Sequence, residues 1–353
     1  MIPVYINSAS CISSQDTLNK DFLQNLKVEN SVLLLKAIEP NYKDFIPPAM
    51  SRRMSKTVKM SSVASKYALE EANIENPDAI IVGTGIGCSH DSEKFLNNVI
   101  QNNEEFLTPT FFIQSTHNTV SGQIALALQC HAYNFTYVNT SSSLEFSMLD
   151  AKIQIEDEEA ENILVGSTDE QSPRTMELFK LNNTFKKEEE LPVSILDSKT
   201  EGVLWGEGAS FFVLGKDKTE KSYAQLKDIQ IINKLNLDET ENFIKNFLAK
   251  NNLTNNEIDA VILGFSGDAP SDEYYKNAAA IFPNSAHLYY KHMSGEYNTA
   301  SGFSTFMACH ILKNQDIPEI MRINNVKKES IKNILLYNHL FCEDQSLVLL
   351  EKI

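Results

Sequence analysis

Residues 135–151, FTYVNTSSSLEFSMLDA, hold the densest chemistry in the chain. A β-rich run ends in Thr140-Ser141-Ser142-Ser143, and an amphipathic helical pattern follows at once. A strand that turns sharply into a helix presents its last residue at the helix N-terminus. Free N–H groups and the helix dipole favour negative charge there, and activated nucleophiles sit at such elbows. Ser141 is the residue so placed. Its hydroxyl is a weak nucleophile unless a base stands beside it, so the function turns on what reaches it.

The elements expected to position this elbow alternate between strands and helices. Residues 2–7 alternate as a strand, and 78–87 (DAIIVGTGIG) run as a buried parallel strand into a Gly-rich turn. Helical spacing covers 57–72, with Val58, Ala64, Tyr67, Ala68 and Leu69 apolar, and also 20–29, 92–103 and 120–129. Residues 107–115, with Pro109, read as a loop. After the elbow come a buried strand at 162–168 and a polar, solvated stretch at 182–191. GVLWGEG (202–208) then leads into a strand at 210–214. Residues 216–222 (KDKTEKS) form a natural boundary. Beyond it the chain repeats strand and helix, including a helix at 239–250.

That repetition has residue-level content. Asp78-Ala79-Ile80-Ile81-Val82-Gly83 is matched by Asp259-Ala260-Val261-Ile262-Leu263-Gly264. Downstream, Asn118-Thr119-Val120-Ser121-Gly122 is matched by Asn298-Thr299-Ala300-Ser301-Gly302 at nearly the same offset. The expectation is a duplicated α/β half-domain, with halves at 1–215 and 216–353.

Composition narrows the class. The 353 residues carry a net charge of −16, which argues against nonspecific binding to nucleic acid or anionic membrane. The first residues lack the basic and apolar segments of a signal peptide, and no run of about 18 apolar residues occurs. Five scattered cysteines without a CxxC pair suit a reducing cytoplasm and no structural metal. No cofactor motif stands out. Gly83-Thr84-Gly85-Ile86-Gly87 lacks dinucleotide-loop spacing and reads as a close-packed turn. Cys130 and His131 are adjacent, so their side chains point different ways.

The whole pattern resembles the thiolase fold, and within it the β-ketoacyl-acyl-carrier-protein synthases. The segment 109–123 is similar to the one before the family's nucleophile, and Gly166-Ser167-Thr168-Asp169 is similar to Gly-Gly-x-Glu. Gly202-Val203-Leu204-Trp205-Gly206-Glu207-Gly208-Ala209 is close to Gly-Phe-Val-x-Gly-Glu-Gly-Ala. Lys291, Ser294-Gly295 and Ala300-Ser301-Gly302 resemble Lys-x-x-x-Gly-His followed by Ala-Ala-Gly. The resemblance implies an α/β, thiolase-like fold of duplicated half-domains, layered α-β-α-β-α. It also implies decarboxylative Claisen condensation by an elbow cysteine and two histidines, with a lysine ordering one of them.

The chain departs from that pattern where the chemistry resides. Counted back from Gly166, the cysteine position falls on Ser141, or on Ser142 if the register slips by one. The first histidine position is Phe265 and the second is Glu296, while Lys291 is retained. The family's Gly-rich C-terminal loop reads Asn338-His339-Leu340-Phe341-Cys342-Glu343-Asp344, without glycine. Phe265 cannot donate a hydrogen bond, and an ionised Glu296 repels an oxyanion. Glu296 is instead expected to pair with Lys291. This copy is therefore expected to condense nothing alone.

The resemblance then implies a chain-length-factor-like subunit that pairs with an active ketosynthase and, through the complex, meets an acyl carrier protein. Gly83–Cys88 and Phe112–Asn118 look like the corresponding proteins of aryl-polyene and flexirubin-type pigment pathways. Phe111, Phe112, Thr116, His117 and Asn118 are the expected tunnel or seam residues; His117 either reaches the partner or caps the next helix. Arg52, Arg53 and Lys56 form a basic cluster that either meets the carrier protein or is a solvated helix end. An alternative is changed chemistry, an acyltransferase or decarboxylase using Ser141.

Overall fold

The computed structural model describes residues 2–107 and 109–353. The first half contains β1 (Tyr5–Ile12), β2 (Leu34–Leu35), α1 (Pro48–Ser51), α2 (Lys56–Ala72), β3 (Ala79–Gly83), α3 (Ser89–Gln101), α4 (Pro109–Ser115), α5 (Thr119–Leu128) and β4 (Tyr133–Tyr137). It continues through α6 (Ser143–Glu156), β5 (Asn162–Asp169), α7 (Pro173–Leu181), β6 (Trp205–Gly206) and β7 (Gly208–Gly215). The second half contains β8 (Ala224–Lys234), α8 (Thr240–Lys250), β9 (Ala260–Leu263), α9 (Ala269–Ile281) and β10 (Ala286–Tyr289). It closes with α10 (Lys291–Ser294), α11 (Ser301–Asn314), β11 (Asn333–Leu340) and β12 (Glu343–Glu351).

Ten strands share one hydrogen-bonded order, β10-β9-β11-β12-β8-β1-β7-β5-β3-β4. The order reads alike from both ends when β1 is matched with β8, β7 with β12, β5 with β11, β3 with β9 and β4 with β10. The halves join through a short antiparallel contact, Tyr5 opposite Gln225 and Ile6 opposite Ala224. The repeat extends to single hydrogen bonds. Asp78 Oδ2 accepts the Glu161 and Asn162 N–H groups at 2.9 Å. Asp259 Oδ2 accepts those of Lys332 and Asn333 at 2.7 and 3.0 Å.

Side-chain alternation along the strands builds the layers. Ile80, Val82, Leu164, Phe211 and Val213 face α2 and α5. Ile81, Ile163, Val165, Phe212 and Leu214 face a central layer made by α6 and α11, as do Ile262, Leu336 and Val348 from the second half. Val261, Leu263, Leu335 and Leu349 face α8 and α9 on the far side. Five layers, α-β-α-β-α, follow. Both central helices bury large side chains, Leu144 and Met148 on α6 and Phe303 and Met307 on α11. Each is worth roughly 1.5–3 kcal/mol relative to exposure.

Three local expectations are corrected. The stretch 20–29 holds only one 3-10 turn, Phe22–Asn25, because Phe22 is its single buried anchor, against Phe306 and His310. Residues 109–115 are helical, since Pro109 takes the first helical position, where its missing N–H costs nothing. The polar run 182–191 is not wholly solvated: Phe185 and Lys186 are buried.

The two sheet ends are finished differently. On β10, Leu288 bridges to Arg322, and the His287 carbonyl accepts the Ile323 N–H at 2.8 Å. On β4, Tyr133, Asn134 and Phe135 are exposed, and among the described residues the strand pairs with β3 alone. An uncovered edge strand is a template for another strand.

Candidate functional site

The strand–elbow–helix is retained. β4 leads through a 3-10 turn, Thr140–Ser142, into α6. Thr140 has φ 42°, a left-handed conformation that a β-branched residue adopts only under strain. The neighbouring strand β3 touches the start of α6 so closely that a Cβ on Gly83 would lie 2.4 Å from the Ser143 carbonyl oxygen.

All three serine hydroxyls of the elbow are engaged in holding it. Ser141, which is buried, donates to the Asp344 carbonyl at 3.3 Å. Ser142 donates to the Asn139 carbonyl at 3.0 Å. Ser143 contacts the Thr84 and Thr140 carbonyls at 3.0 and 2.8 Å, and accepts the Asn139 N–H at 2.9 Å. No imidazole is among the hydrogen-bond partners of Ser141, so nothing there removes its proton.

Phe265 lies past the end of β9, buried, its ring 5.3 Å from that of Tyr275. Lys291 and Glu296 meet at 2.6 Å with side chains 0% and 4% exposed. The Lys291 ammonium also reaches the His339 carbonyl at 3.5 Å and lies 5.7–5.8 Å from the Tyr290 and Tyr275 ring centres. The backbone fixes Glu296: its N–H meets the Leu204 carbonyl and its carbonyl meets the Gly206 N–H, both at 2.8 Å. A Cβ on Gly206 would lie 2.0 Å from the Ser294 carbonyl oxygen, so only glycine allows this contact.

Two further carboxylates share the field of Lys291. Burial pushes Glu145 up to about 7, against a hydrogen bond from Ser346 and the charge of Lys291. One of its oxygens accepts Ser346 Oγ at 3.2 Å, and the other has no partner. Burial pushes Asp272 up to about 6, although it accepts the Ser266 and Gly267 N–H groups at 2.9 Å. Burial raises Glu296 as well, opposed by Lys291. One ammonium thus shares its surroundings with three buried carboxyls, and burial favours the protonated form of each. Sequence reasoning missed Glu145; its signal was a charge within the apolar face of Leu144, Met148 and Ala151.

The loop without glycine closes tightly. Phe341 and Cys342, at φ 47° and 67°, form the two-residue turn between β11 and β12. Such turns favour Asn-Gly. The Phe341 ring packs 6.2 Å from Trp205. His339 is buried with its ring stacked 4.2 Å from that of Tyr275, and burial holds its imidazole well below the usual range.

The remaining sequence candidates lie outside this pocket. Phe111 is half-buried, and Phe112 is exposed with its ring 5.4 Å from that of Phe95. Thr116 Oγ1 donates to the Ile113 carbonyl at 3.2 Å. His117 is exposed and lies against Gly87, where a Cβ would come within 2.8 Å of its ring. Asn118 is exposed at the start of α5. Arg52 and Arg53 are exposed, whereas Lys56 turns inward to Glu207 at 2.5 Å and Glu39 at 3.2 Å. Among the described residues no side-chain group suited to a metal ion occurs, and no helix is long and apolar enough to cross a membrane.

The family model described as Beta-ketoacyl synthase, N-terminal domain, matches residues 10–220. No curated protein sequence matches significantly. Among solved structures, the ishigamide ketosynthase/chain length factor is similar at TM-score 0.79 and 16% identity, over 99% of both chains. A β-ketoacyl synthase from Burkholderia phymatum STM815 is similar at TM-score 0.83 and 13% identity over 100% of both. A ketosynthase in complex with its chain length factor from Xenorhabdus doucetiae gives 0.78 and 12%, over 100% of this chain and 98% of that one.

Proposed function

Because the chain belongs to the β-ketoacyl synthase family, we propose that it is a non-condensing, chain-length-factor-like subunit that pairs with an active ketosynthase. One observation carries this reading: the position of the second catalytic histidine holds Glu296, closed in a buried ion pair with Lys291. A site filled in this way keeps its shape and loses its donors. Ser141 and Phe265 complete the loss. The thiolate nucleophile is replaced by a hydroxyl bound to a carbonyl, and an imidazole by a ring in an apolar cluster.

The uncovered β4 edge supports the pairing. Tyr133, Phe135 and Tyr137 form a ladder with ring centres 6.1 and 4.9 Å apart, continued by Phe146 at 5.8 Å. Exposed aromatics on an unpaired strand suit the centre of a protein interface. The partner supplies the cysteine and histidines. In this reading Phe111, Phe112, Thr116, His117 and Asn118 border the shared acyl tunnel or the seam with the partner. Arg52 and Arg53 face an acyl carrier protein. The halves divide at 215/216, and the pathway is of polyene, polyketide or fatty-acid type.

Co-expression with an intact Cys-His-His ketosynthase tests the proposal. A stable one-to-one complex that elongates acyl chains, with no ketoacyl product from this chain alone, is the expected result. Product from the isolated chain with acyl- and malonyl-carrier protein refutes it. Labelling of Ser141 in the isolated chain by a serine-reactive acyl probe would instead favour acyl transfer or decarboxylation at Ser141.

A further inference from the structure

Lys186 carries a buried ammonium that the pocket described above does not use. Its backbone is tied to the run before β6: the Lys186 N–H meets the Val203 carbonyl and the Val203 N–H meets the Thr184 carbonyl, both at 3.0 Å. Its Nζ reaches across to residues 198–201 and donates to four oxygens. These are Ser198 Oγ and Thr200 Oγ1 at 2.8 Å, the Thr200 carbonyl at 2.9 Å and the Glu201 carbonyl at 3.2 Å. Two are hydroxyls, two are backbone carbonyls, and none is a carboxylate. A buried charge is ordinarily matched by an opposite charge. Neutral oxygens converging on a cation are instead the means by which proteins replace the water shell of potassium, an ion close in size to ammonium.

The surroundings hold this cage in shape. The Thr200 carbonyl also accepts the Ala269 N–H at 3.0 Å, and Asp268 Oδ1 accepts the Gly202 N–H at 2.7 Å. Thr200 Oγ1 donates to Glu190, so that carboxylate meets the ammonium only through the hydroxyl. The stem of Lys186 passes Gly267, where a Cβ would lie 3.4 Å from its Cε. Burial draws the ammonium below the usual lysine range, opposed by the charges of Glu190, Asp268 and Asp272. Thr200 is exposed, and a cavity of about 860 Å³ bordered by Phe185, Lys186, Thr200 and Glu201 gives small ions a way in. The strap so held runs on to Leu204 and Gly206, whose backbone fixes Glu296.

We propose that residues 198–201 form a monovalent-cation site whose resident cation is the tethered ammonium of Lys186. With the ammonium in place, the strap from 198 to 206 is closed and needs no free ion. With the amine removed, the same four oxygens take up potassium or ammonium from solution. The site does not depend on pairing with a ketosynthase.

Melting temperatures of the full chain in potassium chloride and in choline chloride, at equal ionic strength, test the site. Wild type should melt alike in both, and any small difference is the baseline. Lys186→Ala should melt about 4 °C or more lower in choline chloride. It should regain at least half of that loss, saturably, in potassium or ammonium chloride. Lys186→Gln brings a carbonyl oxygen to the cage and should respond to potassium in the same way. Lys186→Met fills the approach with an apolar stem and should lose stability without regaining it. Hydrogen exchange locates the response: protection of residues 198–206 should fall in the Ala and Gln variants in choline and return in potassium. A potassium response in Lys186→Ala and Lys186→Gln no larger than that of wild type overturns the site, as does equal rescue of Lys186→Met. Where Lys186→Ala does not fold, Lys186→Gln decides. Solubility of either variant only with potassium supports the site, and insolubility of both in every salt overturns it.

Discussion

Lys291 Nζ lies 2.6 Å from Glu296 Oε2, with neither side chain meaningfully reached by solvent. Such a pair is costly to break from one side and cheap to replace as a whole. Lys291→Met should therefore lower unfolding free energy by about 3–5 kcal/mol, since it strands Glu296 beside Glu145 and Asp272. Lys291→Met/Glu296→Leu should recover most of that loss. Chemical denaturation of both variants checks the cycle; a double mutant no better than the single one contradicts the pairing.

The buried carboxyls also predict a pH dependence. The folded-state pKa of Glu145 is raised from 4.5 to about 7, so the fold prefers the protonated acid. Its contribution is fully present below the unfolded value and is lost as pH rises through about 7. Asp272, raised to about 6, acts in the same direction. Stability should fall between about pH 4 and 7, and Glu145→Gln should flatten that fall by up to about 3 kcal/mol. Thermal melts across this range read it directly. An equal slope in wild type and variant rejects the assignment.

Restoring the thiol alone should restore nothing. Ser141→Cys gains a softer nucleophile, yet Phe265 and Glu296 still provide no neutral donor for the oxyanion. Assays of the isolated variant with acyl- and malonyl-carrier protein should yield no ketoacyl product. Turnover by the single variant would mean that the loss of activity is shallower than the geometry indicates.

The bare edge of β4 should be the partner's seat. Phe135→Asp places a charge in the middle of the aromatic ladder, where truncating an interface anchor costs 2 kcal/mol or more. Co-purification with the ketosynthase should drop by about thirtyfold or more at constant expression. Phe135 is 44% exposed, so the variant's own melting temperature should barely move. Undiminished association would place the partner elsewhere.

Product length tests the seam. Phe112→Ala removes an exposed ring packed on Phe95, and the heterodimer should then make longer chains. An unchanged product distribution dissociates Phe112 from length control.

The sequence alone determined a great deal here. The Asp78 and Asp259 strands and the two Asn-Thr-x-Ser-Gly stretches announce a duplication, because periodicity and small-residue motifs are local signals. The elbow at 140–143 and the replacements at Phe265 and Glu296 are legible because strand, turn and helix follow one another directly. The expected Lys291–Glu296 pair needed only a five-residue spacing, although its burial did not follow from it. The short elements were misread where one residue decided them, Phe22 as a lone anchor and Pro109 as a helix opener.

Only the tertiary structure decided the rest. Glu145 and Asp272 come under the charge of Lys291 from separate helices, α6 and α9, an arrangement that leaves no trace in spacing. Lys56 looked like part of a basic cluster, yet Glu207, 151 residues away, draws it inward. The bare edge at β4 is visible only beside its covered counterpart β10. Strand order and edge covering are non-local: they depend on which distant segment, here 322–324, folds back onto which strand.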